Sequence, residues 1–154
     1  MSKLANVWVF SDNVERYAEL MAGARLWGEQ VHLIVQGNEQ ANQVKPLGAD
    51  EIVVLETTSG LQRVENFAET IAALIQEHTG LLLMPATKRA KSLGARLSIQ
   101  LNAAMVNDAT SVTLDDGSLF AEHRMYGGLA FGKEKIKTTQ AIITLATGVL
   151  EPVE

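Results

Sequence analysis

The chain contains no cysteine. That excludes disulfides, thiolate catalysis, cysteine-ligated zinc and iron–sulfur clusters together, and it fits a cytoplasmic protein. There is no long hydrophobic run: none approaches the roughly 20 apolar residues that a membrane helix needs. The opening stretch Met1–Asn13 has one lysine, a short apolar run and no cleavage signature, so it does not read as a signal peptide. Positive charge is in deficit. Lys and Arg number 13 against 18 Asp and Glu, a net charge of −5, so no global basic field is available for nucleic acid or an anionic membrane. Internal repeats and low-complexity segments are absent. So are the short motifs that announce chemistry: G-x-G-x-x-G, a Walker loop, a nucleophile elbow and H-E-x-x-H. What is present is ordinary globular material, 47% apolar and 20% charged across 154 residues. That is one domain able to bury a sizeable core.

The first two-thirds of the chain alternates strand and helix. Ala5–Phe10 reads as a strand, and Ser11-Asp12-Asn13 as a polar break holding capping residues. A helix follows over Val14–Trp27, its apolar positions at helical spacing and Gly28 at its end. Gln30–Val35 is a second strand, Glu39–Lys45 a short helix and Glu51–Leu55 a third strand. The sequence then predicts a helix over Gln62–His78. These three strand–helix units, with a fourth in Gly80–Val112, imply a parallel sheet with right-handed crossovers and helices on both faces.

The stretch Gly80–Val112 is the centre of the chain. Leu81-Leu82-Leu83-Met84 is an apolar run bounded by Gly80 and Pro85, which reads as a strand buried on both faces. Thr87 is a candidate N-cap for the next helix, on which Ala90, Leu93, Leu97 and Leu101 share a face and Lys88, Arg89, Lys91 and Arg96 lie mostly off it. Beyond this helix the pattern changes. Thr110–Leu114, Ser118–Met125 and Gln140–Thr147 look like strands, with Asp115-Asp116-Gly117 a hairpin signal. Gly132–Lys137 reads as a charged connector, so 110–147 reads as an antiparallel extension of the parallel core.

Each candidate site has a plainer competitor. If strand order reverses between the first and fourth strands, a crevice opens between Phe10–Asn13 and Met84–Lys88. A nucleotide phosphate could face the Thr87 helix start, with Lys88 or Arg89 beside it. The competing reading is a solvated helix start without a glycine cradle. Ser11-Asp12 reads as a cap before it reads as a catalytic pair. His32, His78 and His123 are isolated in sequence, which favours structural or surface roles over metal ligation. Tyr126-Gly127-Gly128 reads either as a bulge or as a contact with another subunit or domain.

Several segments together resemble the N-terminal domain of electron transfer flavoprotein alpha subunits. They are Gly48-Ala49-Asp50 before the third strand, Ala86–Leu93 with Ala95-Arg96-Leu97, Val106–Thr110, and Arg124–Ala130 around Tyr126-Gly127. Val7–Asp12 and the Tyr-Gly-Gly-Leu-Ala form are most similar to the enteric bacterial subgroup tied to carnitine and acyl-CoA metabolism. Ala90 departs from the family, in which a glycine is usual. The resemblance implies a three-layer Rossmann-like α/β sheet of the adenine nucleotide alpha hydrolase-like kind, with an antiparallel strand extension at its C-terminal end. It implies one such domain over residues 1–150, a linker beginning at 151–154, and FAD bound by a C-terminal domain outside this sequence. It further implies AMP on a partner beta subunit and an acyl-CoA dehydrogenase type electron donor. The chain itself would then be an electron carrier's scaffold, with no catalytic, cofactor or metal residue of its own. Lys88, Arg89, Arg124, Tyr126, Gly127 and Gly128 become the candidate subunit or domain contacts. Two other readings stand beside this one: a free-standing adenine-nucleotide-binding or hydrolase-like domain, and an interaction protein that kept the fold without the redox role.

Overall fold

A computed structural model of the chain describes residues 4–55, 67–115, 118–125, 130–136 and 140–146. The chain begins with β1 (Leu4–Phe10), a 3-10 turn (Val14–Arg16), α1 (Tyr17–Trp27), β2 (Gly28–Gln36) and α2 (Gly37–Val44). A second 3-10 turn (Lys45–Leu47) leads to β3 (Glu51–Leu55), followed by α3 (Ala68–Glu77), β4 (Leu81–Pro85) and α4 (Lys88–Leu101). The last third is β5 (Ala104–Asp115), β6 (Ser118–Met125), β7 (Ala130–Ile136) and β8 (Ala141–Leu145). The eight strands among the described residues form one sheet in the order β3-β2-β1-β4-β8-β5-β6-β7.

The period-2 alternation of the strands divides the core in two. Val7, Val9, Val31, Leu33, Leu81 and Leu83 pack with Tyr17, Leu20, Met21 and Ala24 of α1 on one face. Trp8, Phe10, Ile34, Leu82, Met84 and Ile142 pack with Ile71 and Ile75 of α3 and Ala90, Leu93 and Leu97 of α4 on the other. This is the three-layer α/β architecture expected from the alternation. Burying each of these large aliphatic or aromatic side chains contributes roughly 1.5–3 kcal/mol. β4, buried along its whole length, is central because neither face of Leu81–Pro85 meets water.

Two glycines mark close approaches. A Cβ on Gly80 would lie 2.0 Å from the Asn6 carbonyl oxygen, because β4 enters the sheet against the β1 backbone. A Cβ on Gly94 would lie 2.5 Å from Cε of Met105, so α4 rides low over the sheet.

The strand-rich end differs from the sequence reading in three ways. β8 is not antiparallel: it inserts between β4 and β5 and runs parallel to both, pairing Leu81 with Ala141 and Ala104 with Ala141. β5 starts well before Thr110, and pairs parallel with β8 before it pairs antiparallel with β6. The charged run at Gly132–Lys137 is largely a strand, β7, rather than a connector. β7 is the outermost strand of the sheet, where lysine-rich sequence discourages further strand pairing, and that explains why its composition looked like a loop. The antiparallel extension is therefore β5–β6–β7. Asp115 pairs with Ser118, as the hairpin signal required.

Smaller differences have local causes. The predicted first helix opens with a 3-10 turn capped by Asn13, whose side chain accepts from the Glu15 amide. Gly28 follows its end in extended geometry (φ −119°, ψ 142°) and passes directly into β2 without a left-handed cap. Residues 62–66 of the predicted third helix and the Tyr126-Gly127-Gly128 segment lie outside the described residues.

Candidate functional site

The strand order reverses between β1 and β4. From β1 the chain winds outward through β2 to β3, then α3 crosses back and β4 continues on the other side. The switch point therefore falls between the carboxyl ends of β1 and β4, where open α/β sheets place their ligand crevice.

A side-chain hydrogen bond bridges this crevice. Thr87 caps α4 as its sequence position suggests, with Oγ1 accepting from the Ala90 amide at 3.1 Å. The same hydroxyl donates to Asp12 Oδ1 at 2.8 Å, linking the β1 and β4 loops. The carboxylate of Asp12 thus stands at the positive end of α4, the position an external phosphate would occupy. Ser11 is fully buried. Its hydroxyl donates to the Asn13 carbonyl at 2.6 Å and accepts from the Asn13 amide at 3.0 Å, which occupies it as a turn rather than as a nucleophile. Tyr17, also buried, donates its hydroxyl to the Ile34 carbonyl and accepts from the Ser11 amide at 3.1 Å. Burial pushes its phenol well above the usual tyrosine range.

A transverse row crosses the right half of the sheet at this level: Pro85, Leu145, Ala109, His123 and Gly132 pair in succession from β4 to β7. Lys88 and Arg89 lie just past this row, exposed in the first turn of α4. Arg124 follows His123 on β6 and pairs with Phe131 of β7. β4 and β6 are three strand spacings apart, about 14 Å. The basic residues are therefore near one level of the sheet, on separate elements.

Between them lies a polar cluster that the sequence reading missed. Thr144 of β8 is fully buried; its hydroxyl accepts from the Asp108 amide at 2.9 Å and donates to Asn107 Oδ1 at 3.2 Å. Lys91 Nζ of α4 lies 2.7 Å from Asp108 Oδ2. Arg16 pairs with Glu19 at 3.2 Å and donates to the Leu145 carbonyl at 3.4 Å. The one available signal was Thr144 itself, a hydroxyl inside the apolar run Ala-Ile-Ile-Thr-Leu.

His32 serves structure, and His78 stacks beside it. His32 is buried in β2, with Nδ1 2.7 Å from Glu51 Oε1 and Nε2 2.9 Å from Asn6 Oδ1, so it joins β1, β2 and β3. It stacks between Trp8 (centroids 4.3 Å apart) and His78 (6.0 Å). Among the described residues, no group of three or more acidic or histidine side chains could hold a metal ion. No helix among them is long and apolar enough to cross a membrane.

A family model described as the electron transfer flavoprotein domain matches residues 15–154. The Escherichia coli K12 protein YdiR, provisionally named an electron transfer flavoprotein subunit, is 61% identical over 153 residues, which is 99% of this chain and 49% of that protein. The protein FixB of Salmonella typhimurium LT2 is 40% identical over 98% of this chain and 49% of its own length. FixB of Escherichia coli O127:H6 is 38% identical with the same coverage. The chain spans about half the length of these relatives.

Proposed function

The chain belongs to the electron transfer flavoprotein domain family, and from that premise we propose that it is the N-terminal scaffold of an alpha-type subunit, built to hold a beta subunit rather than a cofactor. The observation that carries this reading is the Asp12–Thr87 hydrogen bond across the switch point. Asp12 and Thr87 satisfy each other at the α4 N-terminus, so an incoming phosphate would have to displace a carboxylate from its hydrogen bond. The described residues offer no glycine-rich cradle for a pyrophosphate either. In this reading FAD is held elsewhere and no redox step runs through Asp12 or Thr87. The flavin is assigned to sequence beyond this domain, and AMP to the beta subunit.

In this reading the chain's work is mechanical. The parallel core gives a rigid body, and Lys88, Arg89 and Arg124, with the Tyr126-Gly127-Gly128 segment, supply the contact with the partner. The assembled protein would take electrons from an acyl-CoA dehydrogenase type donor, in carnitine or acyl-CoA metabolism, in the cytoplasm. A visible spectrum of the purified chain tests the cofactor assignment: no flavin absorbance is expected, and a stoichiometric flavin peak would overturn it. Titration with an electron transfer flavoprotein beta subunit tests the scaffold role, with a saturable complex expected.

The adenine-nucleotide-binding reading keeps one observation in its favour, the placement of the switch point between β1 and β4. Calorimetry with AMP and ATP separates the two. Saturable micromolar binding that is lost in Thr87→Ala supports the nucleotide site, and silence supports the scaffold.

A further inference from the structure

β5 changes its mode of pairing along its length. Its residues 104–109 pair parallel with β8, and its residues 109–115 pair antiparallel with β6. The change falls at Asn107-Asp108, and the register shifts on both sides: between Val106 and Ala109 against β8, and between Ala109 and Ser111 against β6. Asp108 adopts φ 56°, in the left-handed region that only Asp, Asn and Gly enter routinely. Such a conformation persists when its surroundings over-determine it. Here two elements do so. From β8, Thr144 bonds both the Asp108 amide and the Asn107 side chain, and the Ala146 amide donates to the Ala109 carbonyl at 3.0 Å. From α4, Lys91 pairs with the Asp108 carboxylate.

We propose that Thr144, Asp108 and Lys91 form a latch that sets the direction in which the β5–β6–β7 meander leaves the parallel sheet. Lys91 lies one turn beyond Lys88 on α4, and His123, which precedes Arg124, pairs with Ala109 beside the bulge. The latch therefore holds the start of α4 and the base of β6 in fixed relation, and these are the two elements that carry the basic candidate contacts. Thr144, Asp108 and Lys91 are positioning residues: they act on the partner surface through the elements they join. The partner side of this inference rests on the scaffold function proposed above; the latch itself does not.

Hydrogen–deuterium exchange on the full chain tests the latch. In Thr144→Val, amides of residues 110–115 and 118–122 should exchange about tenfold faster, and in Lys91→Met about two- to fivefold faster, the range for a partly exposed ion pair, while β1, β2 and β4 keep their wild-type rates. Lys91→Met alters only a partly exposed side chain, so it remains informative if Thr144→Val fails to fold. Asp108→Asn keeps a residue suited to the left-handed turn and loses only the charge partner, so it should match Lys91→Met. Unchanged exchange in the meander, or a uniform rise across the whole sheet, would overturn the latch. Titration with an electron transfer flavoprotein beta subunit then reads the partner role, with weaker binding expected for each latch variant, about tenfold for Thr144→Val and at most about fivefold for Lys91→Met and Asp108→Asn. If wild type does not bind, the scaffold function fails and the exchange data alone decide the latch. A loosened meander with unchanged affinity would uphold the latch and overturn its part in presenting the contact surface.

Discussion

Tyr17 and Asp50 show how single side chains hold this sheet at opposite ends of the burial scale. The Tyr17 hydroxyl lies in the core between the Ser11 amide and the Ile34 carbonyl, joining the end of β1 to β2. Tyr17→Phe would leave both backbone groups buried without that partner. A loss of about 1–3 kcal/mol is expected, measurable by urea denaturation. Asp50 sits at the entrance to β3. Its carboxylate accepts from the Val31 amide at 2.8 Å and from Arg25 at 3.1 Å, while its own amide donates to the Val31 carbonyl. The Val31 bond, followed by the Arg25 charge, holds its carboxyl below the ordinary value of 3.8. A depressed carboxylate contributes stability above its unfolded pKa and loses it as pH falls through the lower folded value. Asp50→Asn keeps an acceptor for Val31 but drops the charge. It should lower stability by a few tenths to about 1 kcal/mol at neutral pH, the range for a solvent-facing pair. That gap should close below about pH 4 in a pH series of thermal melts.

At the scale of the element, β4 and α4 show which features periodicity makes legible. Four consecutive apolar residues between Gly80 and Pro85 marked a buried strand, and Thr87 marked the helix start; both readings hold because each depends on local chemistry alone. Gly80 carries a second meaning that no local pattern contains, since the atom that excludes a side chain there belongs to Asn6, far away in sequence. Gly80→Ala is expected to destabilise by about 3 kcal/mol or more, because the obstacle is a backbone oxygen that cannot rotate away. Comparing denaturant midpoints of this variant with wild type checks it. β7 shows the reverse. Its Lys-Glu-Lys run has the composition of a loop, and only its place at the sheet's margin makes that composition suitable for a strand.

For the whole molecule, the arrangement of basic residues around one end of the sheet governs the prediction. Lys88 and Arg89 are exposed and lie at the margin of the proposed contact. Reversing both to Glu should slow association with a beta subunit about tenfold at low salt, with a much smaller effect near 0.5 M salt, as for rim charges that steer encounter. Kinetic binding traces at two salt concentrations check this, with thermal stability expected to change little. The α/β class, the parallel core and the three-layer arrangement were legible from the sequence, because burial pattern and helix spacing are written residue by residue. The family was legible too, from the order of its segments. The place of β8 was not: a five-residue apolar strand fits the interior of a parallel sheet or the end of an antiparallel one equally well. Nor was the bridge over the crevice, where Asp12 meets Thr87 across 75 residues of chain, nor the left-handed Asp108 held by Thr144 and Lys91. Local propensity and burial settle which elements exist. Which strand inserts where, and which polar groups end up satisfying one another, is decided only when the elements compete for partners in the packed sheet.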